Sequence, residues 1–102
     1  DQDKLTMSAY WVARCHVTDP EKYAKYAELA GPAIEKHGGR FLARGGKQVE
    51  VEGREYERTV LVEFTSLEKA HACYQSKEYR EAFKYQEDAA VRNVVIVEGI
   101  EL

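Results

Sequence analysis

Little in this 102-residue chain is skewed, and each missing excess removes a class of function. Its two cysteines, Cys15 and Cys73, lie far apart in different predicted elements. A small secreted scaffold held by disulfides uses more, so the pair reads as two reduced, buried thiols. No apolar run is long enough to cross a bilayer. Charges of both signs are interspersed at a net −3, which gives a nucleic-acid role no support. There is no Cys-x-x-Cys and no His-x-x-x-His, so no metal site is expected. Gly45-Gly46 lacks the following helix that a phosphate loop requires. Before Met7, "DQDKLT" has neither the apolar core nor the cleavage site of a secretory signal. Residues 1–6 read as an expression-vector remnant, and 7–102 as a single domain. The expectation is a cytoplasmic protein with no cofactor, no nucleic acid and no membrane among its partners.

What is present is a clear alternation of element types. "AYWVARCHV", residues 9–17, is aromatic and β-branched and reads as a strand. Its odd positions (Trp11, Ala13, Cys15, Val17) form a core face, and its even positions (Tyr10, Val12, Arg14, His16) a mixed one. Thr18 and Asp19 are N-cap candidates for a helix with Pro20 in its first turn. Tyr23, Tyr26, Ala27, Ala30 and Ile34 form its apolar stripe. Pro32 should kink it, and Gly38-Gly39 should end it with a left-handed cap. "GGRFLARGG", residues 38–46, is the second strand, with a bulge expected at Gly45-Gly46. "KQVEVEGREYER" reads as the outer part of a hairpin, with Val49 and Val51 on an exposed edge. "ERTVLVEF", residues 57–64, puts Val60, Val62 and Phe64 in one apolar row. Ser66 caps a further helix, and Ser76 offers a second cap from which a new, offset helix can begin. "RNVVIVEGIEL" closes the chain with Val94 to Val97, a β-branched run suited to burial on both faces.

The order strand, helix, strand, strand, helix, strand is the βαββαβ sandwich of the ferredoxin-like α+β fold. Its four-stranded antiparallel sheet carries both helices on one face. The other face would hold Tyr10, Val12, Leu42, Leu61 and part of Val94–Val97, more apolar surface than a monomer leaves bare. The economical cover is a second copy, giving a homodimer closed into an α/β barrel. Alternation in 38–46 puts Arg40, Leu42 and Arg44 on that open face, with Arg14, His16, Glu63 and, if β-pairing permits, Arg92 and Val94. Buried arginines need a partner or an anion. Glu63 can serve one or two of them, for instance Arg14 or Arg44.

These stretches, together with "VLVEFTSLEKAHACYQSKEYREAF" and "VVIVEGI", resemble the bacterial domain-of-unknown-function family 1330 over nearly everything from Met7 onward. "GGR-x-L-x-RGG" and "EF-x-SLE-A-x-x-x-Y-x-S-x-EY" are its specific parts. The resemblance implies a dimeric α+β barrel and no established reaction. The matching positions are Arg14, Arg44, Gly45, Gly46, Glu63, Phe64, Tyr74, Ser76, Tyr79 and Arg92. The wider superfamily includes cofactor-free monooxygenases, isomerases and haem-degrading enzymes, an analogy of fold only.

Three functions fit these residues. In the first, a pocket between sheet and helices binds a small anionic or aromatic metabolite, with Arg14, Arg44, Tyr74, Tyr79 and Arg92 as ligand-binding residues. In the second, a cofactor-independent enzyme of isomerase or monooxygenase type uses His16 and Glu63 for acid–base chemistry beside an arginine. In the third, the dimer is purely structural and its arginines serve assembly. His37 reads as a helix-end group, His71 as a surface residue, and the tyrosines at helical spacing as core.

Overall fold

A computed structural model describes residues 7–100 of the chain; the expected vector remnant lies outside them. The element order is β1 (Ala9–Val17), α1 (Pro20–Lys36), β2 (Arg40–Arg44), β3 (Arg58–Phe64), α2 (Leu67–Gln75), α3 (Lys77–Gln86) and β4 (Ala90–Glu98). The strands form one antiparallel sheet in the order β2-β3-β1-β4, the ferredoxin-like arrangement. Among the described residues, no helix is long and apolar enough to cross a membrane.

Local chemistry sets the helix boundaries. Asp19, in extended conformation, accepts a bond from the Lys22 N–H at 3.2 Å, and Pro20 fills the first position, where no donor is needed. The helix runs to Lys36 and ends as Gly38 turns to φ +90°, a value that side chains resist. It continues as one element through Pro32, whose missing donor falls on the exposed side, where water can take the carbonyl. Ser76 divides the second helical region into two. Its hydroxyl donates to the Cys73 carbonyl at 2.8 Å and accepts from the Tyr79 N–H at 3.2 Å. One side chain thus closes α2 and opens α3.

Trp11 is the centre of the core. It stacks near Phe64 (centroids 6.0 Å) and meets Tyr79 and Tyr74 edge-on at 5.0 and 5.5 Å, geometries worth about 0.5–1.5 kcal/mol each beyond burial. Val62, Ala13 and Cys15 complete the sheet's side; Tyr23, Tyr26, Ile34, Ala70 and Cys73 complete the helices' side. Both cysteines are free and buried, and burial pushes the Cys73 thiol up to about 11.

Three readings of the strands are corrected. The extra residue in β2 falls between Phe41 and Ala43, not at Gly45-Gly46. One inserted residue reverses the face of everything after it, so Arg44 lies opposite Val60 on the helix-covered face, away from Arg40. Second, Arg92 pairs with Cys15 and Val94 with Ala13, so both also face the helices. Third, residues 47–57 form no hairpin: they run irregularly, tied down by Gln48, which bonds the Thr59 hydroxyl and the Tyr56 carbonyl. Val49 and Val51 do stand exposed.

Candidate functional site

Between α1 and the sheet lies a small cavity. Its apolar walls come from Trp11, Ala13 and Val60 on the strands, Ala27, Ala30 and Ile34 on α1, and Phe41 on β2. Its polar groups are the Tyr23 and Tyr26 side chains and three arginines, Arg44, Arg58 and Arg92. None of these arginines has an ion-pair partner among the described residues, and no carboxylate lines the cavity.

Each guanidinium finds other company. Arg44 lies across the mouth, 4.3 Å over the Phe41 ring, and donates to the Ala27 carbonyl at 3.0 Å. It passes so close to Gly31 that a β-carbon there would stand 2.6 Å from a guanidinium nitrogen. Arg58 lies 5.5 Å from the Tyr23 ring centre, and its Nε–H is shut off from solvent with no partner among the described residues. Arg92 donates to the Tyr26 hydroxyl at 2.9 Å and the Tyr79 hydroxyl at 3.0 Å, and those hydroxyls are 2.8 Å apart. Burial pushes both above the ordinary tyrosine range, so both stay protonated at neutral pH. Burial, then the 3.4 Å contact with the Cys15 sulfur, does the same to Tyr23.

With Arg44 across the mouth the enclosed space is about 20 Å³, room for a water or two. Arg44 is itself exposed. One carbonyl bond and a cation–π contact of about 0.5–1 kcal/mol hold it there.

The residues singled out from sequence are thus divided. Arg44 and Arg92 line the cavity, while Tyr79 is buried behind it, bonded to Arg92 and Tyr26. Tyr74 lines a separate surface cleft on the far side of Arg92, beside Phe83 and Gln86. Arg14 is on the open face, under Glu50 (3.5 Å) and the Tyr56 ring. His16 and Glu63 do not meet: Glu63 is opposite Tyr10, six positions along β1 from His16, about 20 Å at strand spacing. Glu63 pairs with Arg40 at 2.7 Å, in place of Arg14 or Arg44, and His16 pairs with Glu57 at 3.0 Å. His37 caps α1 and meets Glu78 at 3.1 Å; His71 is exposed. Sequence reasoning missed Arg58, although it shares the alternation of Val60, Val62 and Phe64. It also read Tyr23 and Tyr26 first as core and left them out of the ligand-binding set. Among the described residues no group of His, Cys, Asp and Glu could hold a metal ion.

The fold and its cavity define a ferredoxin-like α+β protein with an arginine-lined site between sheet and helices. The chain belongs to the DUF1330 family, a domain of unknown function, whose model matches residues 8–100. No curated protein matches it. Among solved structures it is similar to RPA0582 of Rhodopseudomonas palustris, a protein of unknown function (19% identity, 95% of this chain and 85% of that one, TM-score 0.76). It is also similar to SnoaB, a cofactor-independent oxygenase from Streptomyces nogalater (8% identity, 94% and 96%, TM-score 0.63). A third is a dimeric ferredoxin-like protein of unknown function from Thermobifida fusca (14% identity, 97% of each chain, TM-score 0.58). At such identities the likeness is one of fold.

Proposed function

We propose that this protein is a homodimeric binding module that takes a small aromatic anion into the cavity between α1 and the sheet. One observation carries the reading: three guanidiniums border an aromatic-walled cavity that no carboxylate lines. Arg58 and Arg92 are half-buried, and a cation partly withheld from water without a counter-ion is costly. A ligand carboxylate offsets that cost through paired, charge-assisted bonds, while Trp11, Phe41 and Tyr23 accept its ring. Trp11 is the sole tryptophan, so its emission reports occupancy. Benzoate and its relatives should change that emission saturably and raise the melting temperature by mass action. Silence from every aromatic carboxylate would end the reading.

The dimer rests on the open face, where Tyr10, Val12 and Leu61 stand beside Val95 and Val97, each about half exposed in the single chain (51% and 49%). A second copy of the same sheet is the cover that symmetry favours, and the T. fusca relative is described as dimeric. Sedimentation should give twice the mass of one chain. The setting we propose is the cytoplasm, where Cys15 and Cys73 remain thiols. The oxygenase relative keeps a catalytic reading in view, but His16 and Glu63 would then act singly, since each is engaged with a different neighbour.

A further inference from the structure

One hydroxyl of the cavity has a proton that the protein does not use. Arg92 only donates, so the Tyr26 and Tyr79 oxygens each accept from it and share a single bond with each other. Each hydroxyl has one proton to give. Tyr79 is wholly buried, and Tyr26 is its sole acceptor among the described residues. If Tyr26 gave its proton to Tyr79, the Tyr79 proton would be stranded in the core, a state that folded proteins avoid. The opposite order strands nothing. Tyr79 donates to Tyr26, and the Tyr26 O–H turns to the cavity that its side chain lines.

The two sides of the cavity therefore offer different donors. On the β4 side Arg92 has turned its fork to the two hydroxyls, which leaves one O–H and suits a single oxygen. On the β2 and β3 side the guanidiniums of Arg44 and Arg58 border the cavity, and forked donors suit a planar carboxylate. Resting on the binding function proposed above, we infer that the ligand is a hydroxyaryl carboxylate: its ring oxygen accepts from Tyr26 and its carboxylate lies against Arg44 and Arg58.

The test compares benzoate, 4-hydroxybenzoate and 4-aminobenzoate by Trp11 fluorescence, in the wild type and in Tyr26→Phe. The hydroxy compound should bind the wild type about tenfold more tightly than benzoate, as expected of one hydrogen bond to a charged or polarised partner. The amino compound, a donor facing a donor, should bind no better than benzoate. Tyr26→Phe should lose the hydroxyl's advantage, so that its affinities for 4-hydroxybenzoate and benzoate become equal. Should that variant not fold, the wild-type order of the three ligands decides. A 4-hydroxybenzoate affinity equal to that of benzoate, an amino compound as tight as the hydroxy one, or an advantage surviving in Tyr26→Phe overturns the assignment of Tyr26 and leaves the binding function standing. Failure of all three to bind overturns both.

Discussion

The arginines on the two faces of the sheet keep different company. On the open face Arg14 reaches Glu50 and Arg40 reaches Glu63, and His16 there meets Glu57. On the helix-covered face Arg44, Arg58 and Arg92 reach rings, hydroxyls and one carbonyl, and no carboxylate lines their cavity. Chance spacing does not explain the split, because the chain carries 18 acidic residues to 15 lysines and arginines. Paired cations look inward to their own fold. Unpaired cations beside a cavity are the groups that the proposed anion would engage. The faces differ in structural duty as well: the covered one supplies the core, and the open one is where we propose that a second chain packs.

The largest effect expected from breaking this contrast is on the core. Trp11→Ala removes the ring that Phe64, Tyr74 and Tyr79 pack against and should cost about 3–5 kcal/mol in denaturant unfolding. Val12, the next residue along β1 but on the opposite face, tells the other half. Val12→Asp should leave the subunit folded by circular dichroism and shift the sedimenting species from dimer to monomer, since an unpaired charge in a sheet-to-sheet interface is poorly tolerated. A Val12→Asp protein that stays dimeric would place the interface elsewhere.

A smaller effect separates the two kinds of arginine. Arg58→Met should weaken benzoate binding about tenfold or more, the range for losing a charge-assisted bond. Removing a half-buried cation that has no counter-ion among the described residues should change the stability of the free protein little. Arg40→Met, on the open face, should leave the ligand affinity unchanged. Equal losses from both variants would mean that general positive charge, and not the cavity, attracts the anion.

How far the sequence led depends on what each inference needed. Strand faces in β1 and β3 followed from strict alternation, and Asp19, Ser66 and Ser76 were legible as caps because capping is local chemistry. The face of Arg44 was not legible. It turns on one extra residue in β2, fixed by how Phe41 and Arg44 both reach the helix side. Nor was the face of Arg92, because four consecutive β-branched residues hide the parity of β4. Arg58 was within reach, two positions before Val60 on a strand already read. The Tyr26–Tyr79–Arg92 contact joins residues from α1, α3 and β4, and no spacing in the chain announces it.

The least effect belongs to the paired face, and it is a matter of acid. Glu57 accepts from the Val17 N–H at 2.8 Å and meets His16 at 3.0 Å. The Val17 N–H first and His16 second hold its carboxyl down to about 2, against an ordinary 4.5. A carboxylate lowered on folding stabilises the native state fully above its unfolded value and loses that contribution as pH falls through its folded one. The window therefore runs from about 4.5 to about 2. Because the side chain is 54% exposed, solvent screening keeps the gain at about 1 kcal/mol or less. Glu57→Gln should lower stability by that amount at pH 7, and the difference from wild type should close as pH drops through the window. An undiminished gap at the acid end would mean that Glu57 acts through packing alone, and that pairing on the open face contributes no charge-dependent stability there.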